Sequence, residues 1–327
     1  MLKSVIFAGA NEMTAKLVGR FADGRLGIQV VGVFDVGEEP GLAAVDGVPV
    51  TGGLEELLAF TRVCNPDLVV LTEPVADTAR LKQVFRQLRQ QPLNIRIVPG
   101  DIALDFGRTA QVSRYELPGV QLLTVANRPI SLVGLFVKEI LDRVVAGLAL
   151  AVLAPVFLVI GAAICLSNPG PMFFRQERVG YNRHVFRIYK FRTMHHEFSG
   201  SYTPTLRGDS RVFWVGRILR KFSLDELPQL INVLVGDMSL VGPRPHMVGQ
   251  KLQDEMFFEE VDDYLARHRV KPGITGWAQV NGWRGPAYTL EQIQRRVEHD
   301  IYYIENWSIW LDVVILIRTV LFGENAF

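Results

Sequence analysis

The sequence has very little cysteine, with only Cys64 and Cys165 in a chain of 327 residues. Two such residues build no disulfide framework and lie in no metal-ligand spacing, which favours a reducing compartment facing the cytosol. The chain also lacks a charge excess, with 35 basic against 34 acidic residues. This balance argues against a general nucleic-acid binder. Residues 1–10 are too short an apolar stretch for a signal peptide.

The first hundred residues alternate between two patterns. Short apolar runs predict strands, and helical spacing predicts helices, in the order 4–8, 11–21, 28–34, 54–60, 67–71, 76–90 and 95–98. Such alternation is typical of a parallel, Rossmann-like sheet. We therefore predict an α/β chain whose residues 1–105 form a Rossmann-like regulatory domain of the CoA- or nucleotide-binding kind. Residues 106–137 would be a connector.

A complete glycine-rich phosphate turn is missing from this domain. Gly9 is followed by Ala10-Asn11-Glu12-Met13-Thr14, so the second and third glycines of the dinucleotide pattern are absent. Asp35 nevertheless stands at about the distance expected of a ribose contact. A regulatory or packing domain is therefore favoured over a dinucleotide site.

Residues 144–166 form a run of 23 residues without a charge, long enough to span a bilayer. Pro155 lies in the middle of the run, where it removes a helical hydrogen bond. Basic residues flank both ends, which places both on the cytoplasmic side. We predict a re-entrant helix-break-helix over 138–168. A kinked spanning helix and a buried core helix are the alternatives. The aromatic tail 301–322 suits either a membrane boundary or a core helix.

Three polar segments could do chemistry. Lys190 and Arg192 lie in a basic strand that could hold a diphosphate or anionic lipid headgroups. Arg244 stands between two prolines, as a guanidinium preset for a phosphate or as part of a plain rigid loop. Ser223 to Glu226 fits a capping box, in which Asp225 merely suits the helix N-terminus.

The same segment also allows a catalytic interpretation. A carboxylate at a helix N-terminus, close in sequence to Arg217, Arg220 and Lys221, would lie where a phosphate is held. A second, adjacent carboxylate could bind Mg²⁺ that neutralises a diphosphate.

Four motifs in this half of the chain decide between these alternatives. They are KFRTM at 190–194, SLDELPQLINVL at 223–234, GDMSLVGPRP at 236–245 and VKPGITGWAQVNG at 270–282. Together they resemble the bacterial polyprenyl-phosphate hexose-1-phosphate transferases, the monotopic phosphoglycosyl transferases of exopolysaccharide, capsule and O-antigen synthesis. The resemblance extends from about residue 138 to the end, and it implies a mostly helical, monotopic catalytic domain over 169–327.

The resemblance implies a role for each matching residue. Asp225 would be the nucleophile, Glu226 the Mg²⁺-linked carboxylate with Asp225 beside it, and Pro155 the membrane break. The residues expected to bind phosphate or UDP-sugar are Lys190, Arg192, Arg217, Arg220, Arg244, Gln279, Asn281 and Arg284.

The implied reaction moves hexose 1-phosphate from a UDP-sugar to undecaprenyl phosphate and releases UMP, at the cytoplasmic face of the inner membrane. Residues 281–285 look closest to the glucose branch, and UDP-galactose or a UDP-N-acetylhexosamine are the alternatives. The resemblance is compatible with a homodimer. Longer members begin with transmembrane helices, which this sequence lacks.

Two other functions are compatible with parts of this organisation. A nucleotide-sugar dehydratase or epimerase needs Tyr-x-x-x-Lys, which occurs nowhere in the chain. A non-catalytic membrane scaffold with a nucleotide-sensing domain stays open, and UMP release would separate it from an enzyme.

Overall fold

A computed structural model describes residues 2–21, 26–37, 41–72, 78–98, 111–113, 117–118, 120–195, 209–248, 251–252, 255–256, 264–285 and 289–322. The chain divides into two compact units, Met1–Arg128 and Pro129–Phe327. The predicted α/β class is confirmed, because a parallel N-terminal sheet, one long apolar helix and a mostly helical C-terminal part are all present.

The first unit is built on a six-stranded sheet of order β2-β1-β5-β6-β8-β7. Its elements are β1 Lys3–Ala8, α1 Glu12–Phe21, β2 Ile28–Phe34, β3 Ala44–Val45, β4 Val48–Pro49, α2 Leu54–Cys64, β5 Leu68–Leu71, α3 Thr78–Arg89, β6 Ile95–Ile97, β7 Gln111–Ser113 and β8 Leu122–Ala126. Strands β2, β1, β5 and β6 run parallel. The Rossmann-like prediction is therefore correct, and only residues 76–77 of the third predicted helix lie outside the described residues.

Each face of this sheet has its own apolar core. Leu17 and Phe21 of α1 pack with Val5 and Phe7 on one face. Leu57 of α2 and the apolar side of α3 pack on the other face. Covering both faces is what parallel strands require, because all of their side chains then leave water.

The segment predicted as a connector has structure of its own. Strand β8 pairs antiparallel with β6, and β7 pairs antiparallel with β8. Leu122 is fully buried in the first core. The prediction of a connector is wrong for residues 120–126, because this segment contributes strand β8, which pairs with β6 and β7 and extends the sheet. Residues 101–110, 114–116 and 119 of this region lie outside the described residues.

The second unit opens with the helix α4, Leu132–Ser167, which begins after the cap Ser131. By length and composition α4 could cross a membrane, and only 17% of its most apolar window is buried inside the protein. That exposure argues against the buried core helix.

Helix α4 continues through Pro155 without a change of conformation. The predicted interruption is therefore wrong at the level of secondary structure, because a long helix absorbs the one hydrogen bond that proline removes. A return of the chain would have to be a bend within one helix, and this stays a prediction.

The remaining elements follow α4. They are β9 Phe173–Val179, β10 Val185–Phe191, α5 Trp214–Lys221, α6 Gln229–Val235, β11 Ser239–Val241, β12 Lys251–Leu252, β13 Glu255–Met256, β14 Gly273–Thr275, α7 Trp277–Val280, α8 Leu290–Glu305 and α9 Ile309–Phe322, with 3₁₀ turns at Tyr181–Arg183, Leu224–Glu226 and Tyr264–Arg269. Strands β9 and β10 form a hairpin, and β11 pairs parallel with β14.

Helix α4 packs along this second unit. Its residue Ala146 belongs to a core with Leu240 and Ile315, and Ile164 belongs to another with Phe191. Lys138 Nζ lies 2.6 Å from Asp312 Oδ2, which ties α4 to α9. The aromatic tail 301–322 fits both predictions in part. Tyr303 is buried, as in a core helix, whereas Trp310 is 73% exposed, as at a membrane boundary.

Candidate active site

Asp225 and Glu226 lie on the 3₁₀ turn between α5 and α6. The capping-box interpretation is wrong, because Ser223 has left-handed backbone angles, φ 54° and ψ 21°, and its side chain caps no helix. A capping residue needs extended angles to aim its oxygen at the first N–H groups. Ser223 Oγ instead accepts a hydrogen bond from Arg284 Nη2 at 2.9 Å.

Glu226 is held by two cations. Lys190 Nζ donates to Glu226 Oε1 at 2.8 Å, and the Arg244 guanidinium donates to both carboxylate oxygens, at 3.1 Å for Oε2. Burial opposes ionisation, but the charges of Arg244 and Lys190 outweigh it and hold the pKa of Glu226 well below its ordinary value. Glu226 is therefore a fixed anion.

The surroundings of Asp225 differ from those of Glu226. It is 9% exposed, and no donor in the described part of the chain hydrogen-bonds to its carboxylate. Burial raises its pKa, the charge of Lys190 lowers it, and the charge of Glu226 raises it again, with a net upward shift. A buried carboxylate without donors keeps its lone pairs for an electrophile.

The other predicted residues separate into two groups. Arg220 Nε donates to Thr193 Oγ1 at 2.9 Å, and its charge acts on Asp225. The charge of Arg284 is likewise coupled to those of Asp225 and Glu226. Lys190, Arg220, Arg244 and Arg284 therefore surround the carboxylate pair.

The second group makes its hydrogen bonds elsewhere. Arg192 donates to Asn168 Oδ1 at 2.8 Å and to the Pro169 carbonyl at 3.1 Å, so it holds the chain after α4. The side chains of Arg217, Gln279 and Asn281 donate to the carbonyls of Val212, Ile274 and Trp277, at 3.3, 3.4 and 2.7 Å. These contacts are local and give no direct link to Asp225.

Comparison with known proteins identifies the family. Residues 121–323 match the family model described as bacterial sugar transferase. The chain belongs to the bacterial sugar transferase family. Residues 3–99 match the model of a CoA-binding domain, in the region of the Rossmann-like sheet.

Several curated members of the bacterial sugar transferase family are similar to this chain. One is the UDP-glucose:undecaprenyl-phosphate glucose-1-phosphate transferase of Escherichia coli, 39% identical over 96% of this chain and 68% of that protein. Proteins of the same name from Xanthomonas campestris and Caulobacter vibrioides are 36% and 46% identical, over 90% and 64% of this chain and 60% and 80% of their own lengths. The chain thus spans only part of each relative.

Sequence reasoning missed Asn232, which holds the active-site turn against the β-hairpin. Its Oδ1 accepts from the Tyr189 N–H at 2.9 Å, and its Nδ2 donates to the Arg187 carbonyl at 2.8 Å. This pins α6 beside β10, so that Lys190 faces Glu226. The available signal was a polar residue within the apolar run of α6, fully buried in the fold.

Proposed function

We propose that this bacterial sugar transferase moves a sugar 1-phosphate from a UDP-sugar to undecaprenyl phosphate and releases UMP. The observation that carries the proposal is the contrast between two adjacent carboxylates: cations clamp Glu226, whereas none of the described residues donates a hydrogen bond to Asp225. The names of its relatives describe the same donor and acceptor.

The reaction has two displacements at one phosphorus. An oxygen of Asp225 attacks the β-phosphorus of the UDP-sugar, the bond to the bridging oxygen breaks, and UMP leaves. A phosphate oxygen of undecaprenyl phosphate then attacks the aspartyl phosphosugar, which frees Asp225 and forms the polyprenyl diphosphate sugar.

The surrounding cations supply electrostatic stabilisation. Charge builds on the non-bridging oxygens of the transferring phosphoryl group, and fixed guanidinium and ammonium groups stabilise it without reorganisation. Arg244 and Lys190 are held in place by Glu226, and Arg284 is held by Ser223. Glu226 in this scheme positions cations, while Asp225 carries the covalent chemistry.

Magnesium is part of the proposal. No group of three or more His, Cys, Asp or Glu side chains that could hold a metal occurs among the described residues. Two neighbouring carboxylates still fit Mg²⁺, which is commonly bound by one or two carboxylates together with substrate phosphates. Asp225 and Glu226 would hold it, and when bound it would neutralise diphosphate charge. Loss of UMP release on chelation, with recovery on added Mg²⁺, is the expected result.

We further propose that the enzyme is monotopic at the cytoplasmic face of the inner membrane. Cys64 precedes α4, and Glu305→Cys in a Cys165→Ser background provides a second label after α4. Both labels should react only from the cytoplasmic side, in spheroplasts and inverted vesicles. Labelling from opposite sides would show a spanning helix.

The sugar is proposed to be glucose. The deciding experiment measures UMP release by detergent-purified protein with undecaprenyl phosphate and a panel of UDP-sugars. UDP-glucose should give the highest kcat/KM. A higher value with UDP-galactose or a UDP-N-acetylhexosamine would change the sugar, and no UMP with any donor would overturn the function.

A further inference from the structure

A buried ion pair lies next to the backbone of Arg244. Arg267, in the 3₁₀ turn Tyr264–Arg269, places Nη2 at 2.5 Å from Oδ2 of Asp300 on α8. The two side chains are only 9% and 3% exposed. Neither residue was among those expected at the site.

The same guanidinium reaches the backbone of the catalytic loop. Arg267 Nη2 also donates to the backbone carbonyl of Arg244 at 3.1 Å, while its Nη1 donates to Tyr264 Oη at 3.2 Å. Asp300 therefore orients a guanidinium that also bonds to the backbone of Arg244, the residue that clamps Glu226.

A second contact holds the loop two residues further on. The ring of His246 lies against Tyr264 at 5.4 Å between centroids, and its Nδ1 is 3.2 Å from Nε2 of His268. The 3₁₀ turn Tyr264–Arg269 thus contacts the loop 243–246 at two points, the carbonyl of Arg244 and the ring of His246. Pro243 and Pro245 flank Arg244 and restrict its backbone.

Burying a charged pair is expensive, and an apolar pair of the same size often stabilises a fold as well or better. The contact with the Arg244 carbonyl gives this pair a use that an apolar pair could not supply. We propose that Arg267 and Asp300 are positioning residues, which hold the Arg244 backbone so that its guanidinium meets Glu226 and the transferring phosphoryl group. This inference rests on the proposed function.

The test is a double-mutant cycle in the full chain, with UMP release from UDP-glucose as the assay. Asp300→Asn keeps the shape of the side chain but removes its charge. It should lower kcat about 10- to 100-fold, the scale of a small misplacement of a catalytic group, with a smaller change in KM. In an Arg244→Ala background the same substitution should lower kcat less than about threefold, because the group it positions is gone.

Hydrogen exchange provides a readout that does not depend on turnover. Asp300→Asn should speed amide exchange in residues 239–248, while the strands of the first unit keep their protection. Unchanged exchange in 239–248 would overturn the inference even if activity fell.

The matched control is Asp312→Asn, which breaks another buried pair, Lys138–Asp312, with exposures of 9% and 14%. In the described structure this pair has no hydrogen bond to residues 243–246, and it reaches the start of the segment 239–248 through Tyr303 Oη, which donates to both Asp312 Oδ1 and the Val241 carbonyl. Its effect on kcat should be the same factor with and without Arg244. Equal factors for Asp300→Asn in both backgrounds would show a merely structural role.

The outcomes also separate this inference from the proposed function. If the wild-type chain released no UMP, the proposed function would be wrong. The exchange experiment would still test whether Arg267 and Asp300 hold the Arg244 loop in place. An active wild type with an active Asp300→Asn variant would remove only the positioning role.

Discussion

The two units of the chain treat their interior polar groups differently. In the first unit, the residues at the carboxyl ends of strands β1 and β5 form hydrogen bonds between uncharged groups. Thr14 Oγ1 donates to the Gly9 carbonyl at 2.6 Å, and Asn11 Nδ2 donates to the Thr72 carbonyl at 2.7 Å. The second unit instead buries carboxylates and guanidiniums beside one another, at Glu226 with Arg244 and at Asp300 with Arg267.

The difference shows where chemistry is expected. The strands β1 and β5 of the first unit are neighbours at which the sheet order reverses, the usual place for a ligand in such folds. There the backbone of Ala10 is already bonded by the Leu42 N–H at 2.9 Å. Buried charge, by contrast, is costly, and its concentration in the second unit is the reason that we propose the active site there.

The largest expected effect is at Asp225. Asp225→Asn should lower turnover about 10⁴-fold or more, because the amide cannot form the phosphosugar adduct. Mass spectrometry of the protein incubated with UDP-glucose alone should find the adduct in wild type and none in the variant. Glu226→Gln should fold and be severely impaired. Full activity in Asp225→Asn would end the contrast between the units.

Arg244→Ala should cost about 2–4 kcal/mol of transition-state stabilisation, the scale for losing one charge-stabilising donor. The measurement is kcat/KM for UDP-glucose, with Arg217→Ala as the control because Arg217 is exposed and its side chain bonds to the Val212 carbonyl. The control should lose far less. If Arg244→Ala changed only the unfolding temperature, the rigid-loop interpretation of this motif would be restored.

A third prediction concerns acid stability. Burial and the nearby charge of Arg267 lower the pKa of His268 to about 3. Below about pH 6.5, the ordinary pKa of histidine, His268 is protonated in the unfolded chain but stays neutral in the folded chain. The free energy of unfolding therefore decreases as the pH is lowered. His268→Gln should remove about 2 kcal/mol of the loss between pH 7 and pH 5.

Thermal or denaturant unfolding at the two pH values measures this effect. All six histidines of the chain follow residue 128, so the isolated first unit serves as the control and should show no histidine-linked loss. An unchanged acid loss in His268→Gln would mean that other groups cause it.

The smallest expected effect is that of removing the first unit. A chain of residues 129–327 should keep measurable transferase activity in detergent, because Lys190, Arg220, Glu226, Arg244 and Arg284 all lie after residue 128. The structure moves the cut from the predicted boundary near 105 to 128, since strands β7 and β8 belong to the first sheet. Complete loss in a well-folded truncation would give that unit a part in the site. Tight NAD binding by residues 1–128 would contradict our interpretation of the Gly9 turn.

Local patterns predicted much of the fold. The strand predicted at 28–34 agrees with the structure residue for residue. A short apolar run with polar residues at both ends is buried as a unit, so its bounds can be predicted from the sequence. The connector failed because short strands are stabilised by their partners and hardly by their own sequence; β8 lies between β6 and β7 in the sheet. Helix α4 continues through Pro155 for a similar reason, since its many other hydrogen bonds and packing contacts outweigh one lost bond.

The sequence by itself determined the family and pointed to Asp225, Glu226 and Arg244, because each of these residues lies in a short continuous motif. Only the tertiary structure decided which cations reach the carboxylates. Lys190 and Arg192 are two residues apart, yet Lys190 meets Glu226 and Arg192 bonds to the end of α4. The state of each carboxylate depends on burial and on charges brought from distant segments, and these are set by packing.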